Sequence, residues 1–181
     1  SDTRRCRPPG QLSDVGGHRV HMHATGTDTG KPTVSLEVGM ASFSSNFAWV
    51  QQELEQVTRV VVYDRAGLGW SDSGPKPRDA QRSAKELCTA LQRAGLSGPF
   101  VVAGHSYGGL VVRAFADRDP DEVVGMVIID ASHPDQWAHI PAAKGGRLIA
   151  TSSRIMAFLA RFGLLRFWNP ESKLIDGLPA Q

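Results

Sequence analysis

The sequence predicts a three-layer α/β/α domain built on a mostly parallel sheet, and three observations carry that reading. Residues 59–63 (RVVVY), 100–103 (FVVA) and 123–129 (VVGMVII) are apolar almost throughout, as strands covered on both faces are. Segments with helical spacing alternate with them, the order that produces parallel sheets flanked by helices. The residues richest in chemistry then stand where these strands end: Gly39-Met40, Asp64-Arg65, His105-Ser106 and Asp130-Ala131. Open α/β sheets place their sites beyond the carboxyl ends of the strands.

Each element follows from the local pattern. Residues 1–16 read as a polar lead-in interrupted by Pro8-Pro9-Gly10. Residues 18–24 alternate as a strand, and residues 25–32 (TGTDTGKP) turn the chain. Residues 34–38 form a strand ending at Gly39-Met40. Phe47, Val50, Leu54 and Val57 recur at helical spacing. The strand at 59–63 closes on residues 64–69 (DRAGLG), and a Pro-rich loop at 74–77 leads to a helix over 80–94 ended by Gly95. A helix carrying Leu110, Val111, Ala114 and Phe115 stops at Asp119-Pro120. The core is thus expected over residues 17–138, with a further helical segment over 139–181.

Composition narrows the function. The 181 residues suit one domain with a substantial core. Net charge is +2, but it is unevenly spread. Residues 139–181 hold six basic groups against two acidic ones, residues 1–7 are basic, and the body between is acidic. Nucleic-acid binding requires a continuous basic face, so that partner is excluded. No run of 18 apolar residues occurs. Cys6 lies in the Arg-rich tail and Cys88 in a helical pattern, where it reads as a small buried hydrophobe. His21 and His23 share a strand face, but two ligands make no metal site. Neither a metal nor a cofactor is expected. The chain begins at Ser1 without Met, which leaves room for a removed upstream segment.

The organising motif is Gly104-His105-Ser106-Tyr107-Gly108, a G-x-S-x-G set between a predicted strand and a predicted helix. That context defines a nucleophile elbow. Ser106 must be lifted out on a sharp, strained turn with neighbours packed close, and Gly104 and Gly108 lack the Cβ atoms that would clash. Ser106 then stands at the first turn of a helix, whose free N–H groups favour a developing anion.

Four segments, LEVGMAS (36–42), VVYDRAGLGWSD (61–72), VVAGHSYGG (101–109) and MVIIDASHP (126–134), occur in an order and spacing that resemble the α/β-hydrolase fold family. The closest resemblance is to the bacterial branch that carries LE-x-G in place of the usual His-Gly before the first helix. It covers roughly residues 15–138 and implies the first six strands of an eight-stranded fold, followed by the start of a helical cap. Members of that branch often carry an apolar segment ahead of a stretch like residues 8–26, which implies an exported or membrane-tethered bacterial protein. The family orders its triad Ser…Asp/Glu…His, with the acid after the seventh strand and the His after the eighth. The expectation is therefore that the C-terminal part carrying the His lies beyond Gln181.

The six histidines offer no clean base. His18, His21 and His23 precede the serine, while His133 and His139 read as loop residues. Ser106 is the candidate nucleophile, and the backbone N–H groups of Met40 and Tyr107 are the candidate oxyanion hole. Gly39 and His105 are assigned to the substrate pocket, although the resemblance turns the His105 side chain away from it. Asp130 is a candidate triad acid, because some relatives place the acid after this strand; its other reading is a turn cap. Asp64 and Arg65 read as an ion pair or loop anchor. Residues 144–168 form an amphipathic pattern with Arg147, Arg154 and Arg161 seven apart. They are read either as the start of the cap or as a helix lying on a membrane surface.

Two functions follow. The first is a serine hydrolase that cleaves carboxylic esters of small or lipophilic acyl groups through an acyl-enzyme on Ser106. A serine disfavours haloalkane dehalogenase and epoxide hydrolase chemistry, which by the resemblance need Asp there. The second is a non-catalytic module that binds a ligand or partner in a hydrolase-derived pocket. The apolar sixth strand is also expected to expose an edge through which copies could pair.

Overall fold

In the computed structural model, residues 7–136 are described. The sheet is assembled from β1 (Gln11–Asp14), β2 (Arg19–Thr25), β3 (Thr33–Glu37), β4 (Val60–Tyr63), β5 (Phe100–His105) and β6 (Val123–Ile129). Its order is β1-β2-β4-β3-β5-β6. β1, β2 and β4 pair antiparallel, whereas β4, β3, β5 and β6 are parallel to their neighbours. The chain divides into a unit over residues 1–134 and a second over 135–181. The expected cap over 139–181, with its candidate membrane-surface stretch 144–168, lies outside the described residues.

Side-chain alternation along the strands separates two cores. Val61, Tyr63 and Val102 face α2 (Ala80–Arg93) and α3 (Gly108–Arg118), packing with Leu87, Leu91, Val111 and Phe115. Val60, Val62, Leu36 and Ala103 face the opposite side, against Phe47 and Leu54 of the α1 region (α1, Ala48–Leu54). A parallel strand needs apolar residues on both faces to make such a layer on each side, so the three-layer arrangement follows from the uninterrupted valine runs. α2 begins where the Asp79 carboxylate accepts the Arg82 N–H at 2.8 Å, an N-cap that satisfies one of the free amides of the first turn. It ends before Gly95, at φ +70°.

Two expectations are corrected. Residues 11–14, read as part of a polar lead-in, form β1 and extend the sheet beside β2. They were hidden because a four-residue outer strand of mixed polarity carries almost no periodic signal. The helix expected from Phe47, Val50, Leu54 and Val57 is a 3-10 turn over Ser44–Phe47 followed by α1. Its inward face is Phe47, Gln51 and Leu54, while Val50 and Val57 are 43% and 49% exposed. A seven-residue helix turns only twice, and its contact stripe is narrower than the apolar spacing suggests.

β3 lies between β4 and β5, so the chain moves one way from β3 to β4 and back the other way to β5. That reversal opens a crevice beyond the carboxyl ends of β3 and β5. Gly39 follows one of these ends and Ser106 the other.

Candidate active site

Ser106 has φ +53°, the left-handed region that a non-glycine residue occupies only at a cost of roughly 1–3 kcal/mol. Surrounding bonds hold it there. Its N–H donates to the Ile129 carbonyl at 3.2 Å, and its carbonyl accepts from the N–H groups of Gly109 at 3.1 Å and Ser132 at 3.0 Å. The loop after β6 is thus part of the elbow, a role that no sequence signal had given to Ser132. A Cβ on Gly104 would stand 2.6 Å from the Gly108 carbonyl oxygen, and one on Gly109 would run into the Ala131 side chain. Glycine is required at both places by contact, since neither carries a positive φ.

Gly39 is buried directly against the elbow. A Cβ there would lie 3.1 Å from His105 Nδ1 and 3.4 Å from Ser106 Cβ. The chain then turns, with Ser42 N–H on the Gly39 carbonyl at 3.3 Å and Ala41 at φ +57°. Met40 is 68% exposed. His105 is exposed and lines a cleft of about 270 Å³ with Gly39, Ser42, Asn46, Phe47 and Ile129. Tyr107 lines a second cleft, of about 290 Å³, with Met40, Ala41, Leu68, Arg65 and Arg78. The residues on either side of Ser106 therefore face two different clefts. Asp130 is exposed, with φ +40°, at the end of β6.

Asp64 and Arg65 divide the two roles considered for them. Asp64 is a loop anchor. Its carboxylate accepts the Ser44 N–H at 2.7 Å, the Trp70 N–H at 3.1 Å and His21 Nδ1 at 2.9 Å. Burial opposes the charge, but these hydrogen bonds outweigh it and hold the carboxyl below its ordinary value. His21 also bonds the Pro9 carbonyl through Nε2. His18 meets Glu86 at 3.1 Å, and Glu86 is in turn held by Arg78. These two histidines are engaged at the β1–β2 side of the sheet, three strands from β5.

Arg65 is the buried ion pair. It donates to the Glu37 carboxylate, to the Val38 carbonyl at 2.6 Å and to the Gly39 carbonyl, and its Cζ lies 5.3 Å from the centre of the Tyr107 ring. Glu37 is fully buried. Burial pushes its carboxyl up to about 7, with Arg65 opposing the shift. Glu37 Oε2 and the Tyr63 hydroxyl are neighbours that form no hydrogen bond of normal geometry. Cys88 is partly buried and free, and burial raises its thiol. Among the described residues no cluster of metal-ligating side chains occurs, and no helix is long and apolar enough to cross a membrane.

A mostly parallel sheet with helices on both faces, and a serine held left-handed between a strand and a helix, together define a three-layer α/β/α scaffold with a strand–turn–helix elbow. The model of the alpha/beta hydrolase family matches residues 20–180, and the chain belongs to that family. A probable transporter, efuK, of Hormonema carpetanum is 33% identical over 137 residues, which cover 72% of this chain and 20% of that protein. Epoxide hydrolase 4 of Mus musculus is 25% identical over 189 residues, covering 96% of this chain and 52% of its own length. Among solved structures, a thermophilic esterase from Thermogutta terrifontis superposes with a TM-score of 0.60 at 27% identity, over 68% of this chain and 46% of the other. The chain spans between a fifth and about half the length of these relatives.

Proposed function

We propose that this chain carries the nucleophile and oxyanion hole of a serine hydrolase acting on carboxylic esters of small or lipophilic acyl groups. The observation that carries the reading is Ser106 at φ +53° with Gly39 packed against its Cβ. Ser106 Oγ attacks the ester carbonyl, and its proton passes to a general base and then to the departing alkoxide. The tetrahedral oxyanion is received by the Met40 and Tyr107 N–H groups, and water releases the acid from the acyl-enzyme. Asp130 is the proposed acid partner of the base. The clefts beside His105 and Tyr107 would receive the two sides of the ester.

A serine at this position supports ester chemistry over that of the epoxide hydrolase relative. The resemblance of residues 8–26 supports placement outside the cytoplasm or on a membrane, which fractionation of the source cell tests. The second reading, a non-catalytic binding module, is favoured by the engagement of His18 and His21 away from Ser106. Intact mass before and after a fluorophosphonate probe separates the two. The hydrolase reading expects one adduct that Ser106→Ala abolishes; absence of any adduct on the complete gene product favours the binding module.

A further inference from the structure

We propose that Arg65 is the positioning residue of the oxyanion hole, setting the Met40 and Tyr107 N–H groups toward one point. The inference rests on the serine hydrolase reading and extends it to a residue that does not touch substrate. Its argument is geometric. The Gly39 carbonyl and the Met40 N–H belong to one planar trans peptide and point in opposite directions. Arg65 Nη2 holds that carbonyl, so the Met40 N–H is fixed facing away from the guanidinium. A rotation of this peptide would break the Arg65 bond and take the Met40 donor out of the hole.

The same guanidinium lies over the Tyr107 ring, with Cζ 5.3 Å from its centre, and Tyr107 carries the second donor. One side chain thus touches both segments of the hole. Glu37 completes the device from below. Fully buried at the end of β3, its carboxylate fixes the guanidinium that its own strand's exit needs. Arg suits the task because its planar fork addresses a carboxylate and two carbonyls at once, which a lysine ammonium does less well.

A buried ion pair alone is weak evidence for stability, and apolar replacement of both partners is often tolerated. That separates positioning from structure. In the complete gene product, at a pH where Glu37 is ionised, p-nitrophenyl butyrate turnover is measured for wild type, Arg65→Lys and the paired Glu37→Leu/Arg65→Met variant. Measurements are made well below each melting temperature. The paired variant is expected to lose about 10²-fold in kcat, the scale of a lost oxyanion donor, with KM unchanged. Arg65→Lys is expected to fall between the two. If the paired variant does not melt cooperatively, the kcat and KM of Arg65→Lys decide.

Wild-type kcat in the folded variants, with Ser106→Ala inactive, overturns the positioning role and leaves the hydrolase reading intact. Loss expressed only in KM overturns it as well. Turnover that survives Ser106→Ala overturns the hydrolase reading, and the positioning role falls with it.

Discussion

Gly108 is where the nucleophile helix meets the central strand, and the contact can be sized. A Cβ added there would collide with the Glu37 carbonyl oxygen and stand 2.8 Å from that of Val38 and 2.9 Å from Glu37 C. All three atoms belong to the backbone of β3 and its exit, between β4 and β5, so they cannot swing aside as a flexible side chain would. Gly108→Ala must therefore lift the start of α3 from the sheet. Such overpacking costs roughly 1–3 kcal/mol. The helix-propensity gain of alanine offsets at most about 1 kcal/mol, and less than that at the first helical residue. A net loss of about 2 kcal/mol lowers the melting temperature by about 4–8 °C for a chain of this size. Gly95→Ala is the control. It stands in open space with φ +70°, so its cost is the left-handed penalty alone, about 1–2 kcal/mol. Thermal denaturation followed by circular dichroism reads both, and Gly108→Val should fall further than Gly108→Ala. A Gly108→Ala protein that melts with wild type would show that the helix–strand crossing is looser than these distances imply.

Two further outcomes are expected. Ser106→Ala should abolish p-nitrophenyl ester hydrolysis while retaining the wild-type melting temperature to within a few degrees, because a small side chain suits the elbow; wild-type turnover in a pure sample would end the nucleophile assignment. The outer strand β6 exposes Val124 (60%) and Val127 (48%), the kind of apolar edge that natural proteins cover. We expect the 181-residue chain alone to self-associate in light scattering after size exclusion, and Val124→Lys to weaken that association. A soluble monomer of ordinary stability would refute this.

How much of this was legible in the sequence depended on how local the cause is. The valine runs announced β4 and β5 because burial on both faces is written into nearly every residue of those strands. The same pattern announced β6, but the two-sided cover expected there is corrected, since its residues are half-buried or exposed at the end of the sheet. Of the elbow glycines only Gly104 is demanded by a neighbour in sequence, while Gly108 and Gly109 are demanded by Glu37, Val38 and Ala131. The elbow was legible all the same, because G-x-S-x-G between a strand and a helix is a local pattern. β1 was not, since its four residues owe their place to pairing with β2. The Arg65 cluster lay further still from view: Glu37 and Arg65 are 28 residues apart, and each reads alone as a charged residue at a strand end. The available signal was Glu37 itself, an acid inside the otherwise compact run 34–38. An acid in that position needs a buried cation, and the strand ends nearby offer Arg65. Ser132 gave no signal at all, because its contribution is a backbone N–H.

The two buried acids around this crevice should also give stability opposite slopes with pH. Glu37 is pushed up to about 7 by burial, against the pull of Arg65, from an ordinary value of 4.5. Between those values the folded protein keeps a proton that the unfolded chain has released. Its contribution to stability is therefore full below 4.5 and is lost as pH rises through about 7. Asp64 works the other way. Burial would raise it, but the bonds from His21, Ser44 and Trp70 outweigh burial and bring it below 3.8. Its contribution is full above 3.8 and is lost as pH falls through the lowered value. Urea unfolding across a pH series reads both limbs. Glu37→Gln should flatten the neutral limb and leave the acid limb in place, whereas Asp64→Asn should do the reverse, each at some overall cost in stability. If Glu37→Gln loses stability between about pH 5 and about pH 8 as steeply as wild type, the neutral limb belongs to another group. The buried carboxyl would then already be ionised throughout that range, held so by Arg65 more strongly than burial opposes it.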